Sequence, residues 1–96
     1  MNQLESIVSV LKALKPELSA KYHVGNIGLF GSITRADFTD QSDIDIIVDF
    51  SKPIGIEFID LANFLEATFK RKVDLVSRNG VKPNFFALIQ KEILYI

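Results

Sequence analysis

From Asp43 to Phe50 the chain reads Asp-Ile-Asp-Ile-Ile-Val-Asp-Phe, and this octapeptide narrows the possible folds more than any other stretch. Side chains of a strand alternate between its faces, so Asp43, Asp45, Ile47 and Asp49 share one side. The other side is Ile44, Ile46, Val48 and Phe50. That face is wholly apolar and must pack against helices. A slip of one residue would exchange isoleucines for acids, so the register is pinned. The chain is therefore expected to build a sheet with one dry face and one face bearing carboxylates.

The remaining elements supply the cover. Leu4, Ile7, Val8, Leu11 and Leu18 recur at helical spacing near the N-terminus. Pro16 is expected either to kink that helix or to start a second short one, since proline lacks the backbone donor. Val24 to Phe30 reads as a short buried strand, Asp37 to Ser42 as a polar loop, and Gly55 to about Lys70 as a second helix. That helix carries Phe58, Leu61, Ala62, Leu65 and Phe69 on one stripe, with Ile59 and Phe64 off it. Lys72 to Ser77 reads as a third strand. A last helix is expected from Pro83, well suited to a first helical position, to about Ile93. The order predicts an α/β (α+β) fold in one domain over residues 1–96, with no room for a second.

Apolar residues make up 48 % of the chain. This opposes disorder and leaves a surplus for a partner. With 11 basic and 12 acidic residues and a net charge of −1, gripping nucleic acid is not expected to be its main work. Cysteine is absent, which excludes disulfides and thiolate metal sites and fits a cytoplasmic setting. The charged N-terminal segment resembles neither a signal peptide nor a membrane span.

Asp43 and Asp45 lie roughly 6 to 7 Å apart along an extended strand. At an effective dielectric near 20 their repulsion is on the order of 2 to 3 kcal/mol. A hard divalent cation between them removes that penalty, because Mg²⁺ binds carboxylate and phosphate oxygens together. Asp49, roughly 13 Å further along, is too far to join. Asp74, flanked by Val73 and Leu75, points away from the apolar side of the third strand. If that strand neighbours the acidic one, three carboxylates converge, enough to hold two metal ions for phosphoryl transfer. A lone Asp-x-Asp at a strand end is ordinarily just solvated, so the weight falls on the combination.

Gly31 and Ser32 close the first strand and open a short helical turn through Arg35. Backbone donors at such a junction point outward and suit phosphate oxygens, and Gly31 allows close approach. Arg35 could reach a phosphate or brace the loop against Asp37 or Asp40. Ser42 could cap the entry to the acidic strand or orient a carboxylate. His23 reads as a surface cap beyond a helix end, and Lys70-Arg71-Lys72 as a solvated corner.

Phe30-Gly31-Ser32-x-x-Arg35, followed by Ser42-Asp43-x-Asp45 and then Val73-Asp74-Leu75, resembles the polymerase-beta-type nucleotidyltransferase superfamily. More narrowly it resembles the minimal nucleotidyltransferases. The resemblance spans essentially the whole chain. It implies a short mixed sheet with helices packed on one side and Gly31 and Ser32 at a nucleoside triphosphate, most simply ATP. Asp43, Asp45 and Asp74 would hold Mg²⁺, two ions in all, and Asp74 would help to activate an acceptor hydroxyl. One departure is Ala36, where a glycine commonly follows the motif arginine.

Relatives of this size are often antitoxins paired with a HEPN ribonuclease toxin, and the resemblance implies adenylylation of a tyrosine on such a partner. Larger relatives carry a further domain for acceptor recognition, for which this chain has no room. Ile59, Phe64 and the apolar run Phe85-Phe86-x-Leu88-Ile89 are candidate partner contacts. Two other readings stand beside this one. The acceptor could be a small molecule, or the protein could neutralise its partner by binding alone.

Overall fold

The computed structural model describes residues 3–35 and 37–96, and within them the acidic strand organises the rest. Helix α1 (Gln3–Tyr22) leads into β1 (Val24–Phe30), a 3₁₀ turn (Gly31–Thr34) and β2 (Ile44–Phe50). Helix α2 (Glu57–Phe69), β3 (Val73–Ser77), α3 (Pro83–Ile89) and the two-residue β4 (Leu94–Tyr95) follow. The four strands form one mixed sheet in the order β3-β2-β1-β4. β1 is antiparallel to both β2 and β4, whereas β2 and β3 are parallel. A parallel pair needs a long crossover, and α2 supplies it.

Ile44, Ile46 and Val48 are fully buried, as the alternation of β2 requires. They pack with Ile27 and Leu29 of β1, Val73 and Leu75 of β3, Ile7, Leu11 and Leu18 of α1, and Leu61 and Leu65 of α2. The two long helices thus cover one side of the sheet. The alternate residues Phe30 and Ile47 enter a smaller cluster on the opposite side with Ile89, joined by Val76, Phe86 and Ile93. That patch beneath α3 lies on the same face as the acids.

Several boundaries differ from the sequence expectation for physical reasons. α1 runs unbroken through Pro16. That residue is exposed, and buried Leu11 and Leu18 on either side hold the helix to the core. A proline on the solvent side leaves its orphaned carbonyl to water. α3 stops at Ile89 rather than near Ile93, and the following segment turns to form β4, which the sequence reading lacked. β4 is seated where β1 is thinnest. A β-carbon at Gly28 would lie 2.6 Å from Ile93 Cγ2 and 3.2 Å from the Tyr95 ring.

Phe64 is only partly exposed: its ring sits 5.9 Å from that of Tyr22 and it borders the main core. Phe86 and Ile89 are likewise packed inward. Ile59, Phe85 and Leu88 remain exposed. His23 adopts a left-handed conformation (φ 58°) past the end of α1, and its carbonyl accepts the Ser51 N–H at 2.8 Å. The Ala36 position lies outside the described residues.

Candidate active site

Strand pairing brings the separate motifs to one place. Asp45 is registered against Phe30 on one side and Asp74 on the other. The residue after Phe30 is Gly31, at φ 75°, a conformation that a β-carbon disfavours. Any β-carbon there would also overlap the Asp45 carboxylate, whose Cγ would lie only 3.0 Å from it. The glycine is required twice, by its backbone angle and by the acid beside it.

The acids are not equivalent. Asp43 precedes β2 and is exposed, as is Asp74, whereas Asp45 is half-buried between its neighbours. Burial first, and then the carboxylates of Asp74 and Asp43, push the Asp45 pKa up from 3.8 to about 6; Arg35 opposes the rise and Glu92 adds to it. Among the described residues no three His, Cys, Asp or Glu side chains are gathered tightly enough to hold an ion as they stand. The expected convergence takes the form of an in-register pair with a third acid just ahead of the strand. The donor set itself suits a hard divalent cation, since it consists of carboxylate oxygens, one of them on a half-buried acid with two acids beside it.

The turn is held from several directions. Ile33 is buried, the Thr34 hydroxyl donates to the Gly31 carbonyl at 2.8 Å, and the Arg35 N–H reaches the Ser32 carbonyl at 3.0 Å. The Arg35 guanidinium pairs with Asp37 and with Glu92, each at 3.4 Å. It braces the loop, as one sequence reading held. Ser42 accepts the Thr39 N–H at 3.0 Å and so orders the loop entering β2.

Two residues that matter here escaped the sequence reading. Arg71, placed in a solvated corner, donates to the carbonyls of Thr39 and Ser42 and to Gln3 Oε1. Its guanidinium also lies 4.5 Å from the centre of the Phe38 ring. It therefore anchors the loop that delivers Asp43. Glu92 accepts the Gly31 N–H at 3.0 Å. Neither stands in a recognisable local pattern; only the tertiary fold brings them to the site.

A glycine-serine turn beside paired strand carboxylates, on a mixed sheet backed by two helices, defines the nucleotidyltransferase class. The family description "Polymerase beta, Nucleotidyltransferase" matches residues 12–96. The chain belongs to that family and is a nucleotidyltransferase. It is 39 % identical over its full length to the protein adenylyltransferase MntA of Thermococcus cleftensis, covering 98 % of that protein. It is 38 % identical to a Methanocaldococcus jannaschii protein assigned as a protein adenylyltransferase, with both chains covered completely. A solved structure assigned as a minimal nucleotidyltransferase superposes with a TM-score of 0.81 at 26 % identity, covering 97 % of this chain and 95 % of that one. A toxin–antitoxin structure with AMP-PNP superposes with a TM-score of 0.63 at 26 % identity, covering 88 % of this chain and 64 % of that one.

Proposed function

We propose that this chain, as a single minimal nucleotidyltransferase domain over residues 1–96, transfers AMP from ATP to a hydroxyl of a partner protein. The acceptor in this reading is a tyrosine of a HEPN-type toxin, which modification silences, so the protein acts as a cytoplasmic antitoxin. The observation that carries the proposal is the registration of Asp45 beside Asp74, with Gly31 against the Asp45 carboxylate. The adenylyltransferase names of full-length relatives support the donor and the protein acceptor. The toxin–antitoxin neighbour with AMP-PNP supports both the nucleotide and the partner.

In this reading the Ser32 hydroxyl and the backbone donors of the turn hold the β- and γ-phosphates, so that pyrophosphate leaves on that side. Asp43, Asp45 and Asp74 would hold Mg²⁺, which supplies charge neutralisation at the α-phosphate when bound. Asp74, exposed on the edge strand, faces an incoming acceptor and takes part in removing its proton. Arg35 keeps the turn in place. Rate enhancement then rests on positioning and electrostatics, with no nucleophile from the protein.

The test is transfer of label from α-labelled ATP with Mg²⁺ into a lysate of the source cell, comparing wild type with folded Asp43→Asn. A protein band labelled by wild type alone is expected, with mass spectrometry placing AMP on tyrosine. Label on a small molecule alone would overturn the protein-acceptor reading. Full protection of cells by folded Asp43→Asn would instead identify neutralisation by binding.

A further inference from the structure

Glu92 lies in the turn between α3 and β4, far along the chain from the glycine-serine turn, yet its carboxylate spans two parts of it. Oε1 accepts the Gly31 N–H at 3.0 Å, and both oxygens approach Arg35 Nη1 at 3.4 Å. The Glu92 side chain is 30 % exposed, and its contact with Gly31 is partly shielded from water, whereas its contacts with Arg35 are exposed. Hydrogen bonds with an ionised partner are stronger than neutral ones, and shielding strengthens them further. Glu92 adds to the negative charge around Asp45, and Arg35 opposes it.

Gly31 has no side chain to fix its backbone, and its left-handed conformation is not self-enforcing. The internal bond from Thr34 closes the turn but does not orient it on the sheet. Buried Ile33 seats the turn on the core, and the contact from Glu92, reaching from the C-terminal segment, fastens its first N–H. With that hydrogen engaged and Arg35 drawn to the same carboxylate, Ser32 and the donors behind it are left to meet an anion.

Building on the reading of this turn as the ATP phosphate site, we propose that Glu92 is a positioning residue for the donor nucleotide. It acts through Gly31 and Arg35 and does not itself touch the phosphates.

The experiment is calorimetric titration of ATP with Mg²⁺ into the full chain, alongside thermal unfolding, for wild type, Glu92→Ala, Glu92→Gln, Arg35→Ala and the Glu92→Ala/Arg35→Ala double variant. Losing a charge-assisted bond that orients the turn is expected to weaken ATP binding about tenfold in Glu92→Ala. Glu92→Gln keeps an acceptor for the Gly31 N–H without the charge, so it should lose less, and it carries the test if the alanine variant does not fold. The double variant should bind little worse than Glu92→Ala, because both changes break one clamp. Unchanged ATP affinity in folded Glu92→Ala and Glu92→Gln would overturn the inference. Tighter binding would overturn it as well, since Glu92 would then be competing with phosphate for the Gly31 N–H. If wild type itself binds no ATP, the nucleotide reading fails and this inference fails with it.

Discussion

The two faces of β2 present opposite solutions along a single strand. Ile44, Ile46 and Val48 are sealed beneath α1 and α2, while Asp45 and Asp49, one position out of step, stay partly open on the other side. The dry face supplies the hydrophobic stabilisation, and the acidic face holds like charges close together at the expense of stability. Because the strand is shared, the core sets the position of the acids as firmly as it sets its own packing. A candidate site of crowded acids is thus held in place by a face of hydrocarbon side chains.

The sharpest way to break this comparison is to neutralise the central acid. Asp45→Asn is expected to lower nucleotidyl transfer roughly a thousandfold. It should leave the fold intact, as read by label transfer beside circular dichroism. On the opposite face, Ile46→Ala is expected to destabilise the fold by about 3 to 4 kcal/mol in urea unfolding, because the site is fully buried. Equal stability losses from the two substitutions would refute the division of labour between the faces.

The pH dependence sharpens the same contrast. The folded-state pKa of Asp45 is raised from 3.8 to about 6, so the folded chain binds its proton more tightly than the unfolded chain does. Stability should therefore fall as pH rises through this window, by about 1 to 2 kcal/mol after allowance for the partial exposure of the group. Asp45→Asn should remove that slope and unfold later than wild type near neutral pH. Addition of Mg²⁺ should raise the melting temperature of wild type more than that of the variant. A slope that survives in Asp45→Asn would assign the effect to other groups. The smallest effect is expected at the rim, where Leu88→Ser should alter stability by less than about 0.5 kcal/mol in thermal unfolding.

Much of this division was legible before folding was considered. The alternation in Asp43–Phe50 places each residue on its face, and the helical spacing around Leu11, Leu61 and Leu65 finds the cover. The glycine-serine turn was readable as the end of a strand, whereas the meeting of Asp45 and Asp74 was legible only on condition that their strands were neighbours, which the fold supplies. β4 was not, since two residues carry no periodicity and their strand character comes from pairing with Gly28 and Leu29. Pro16 misled because local propensity says nothing of whether a proline faces solvent. Glu92 and Arg71 act on backbone groups far away in sequence, and such contacts leave no local trace. No described helix is long and apolar enough to cross a membrane.

The parallel pairing of β2 with β3 also bears on the order in which the molecule forms. β1 and β2 are nearer neighbours in the chain than β2 and β3, and the latter pair meets only after the α2 crossover has closed. Loop closure makes distant pairings the slower ones. Pulse-labelled hydrogen exchange during refolding should protect β1–β2 amides before those of β3, and simultaneous protection would contradict this order. The candidate site is then completed only after β1 and β2 have paired, and β4, whose pairing with β1 spans the longest stretch of chain, closes later still. A chain with only β1 and β2 paired keeps Asp74 away from Asp43 and Asp45, so in the proposed reading competence waits for the third strand.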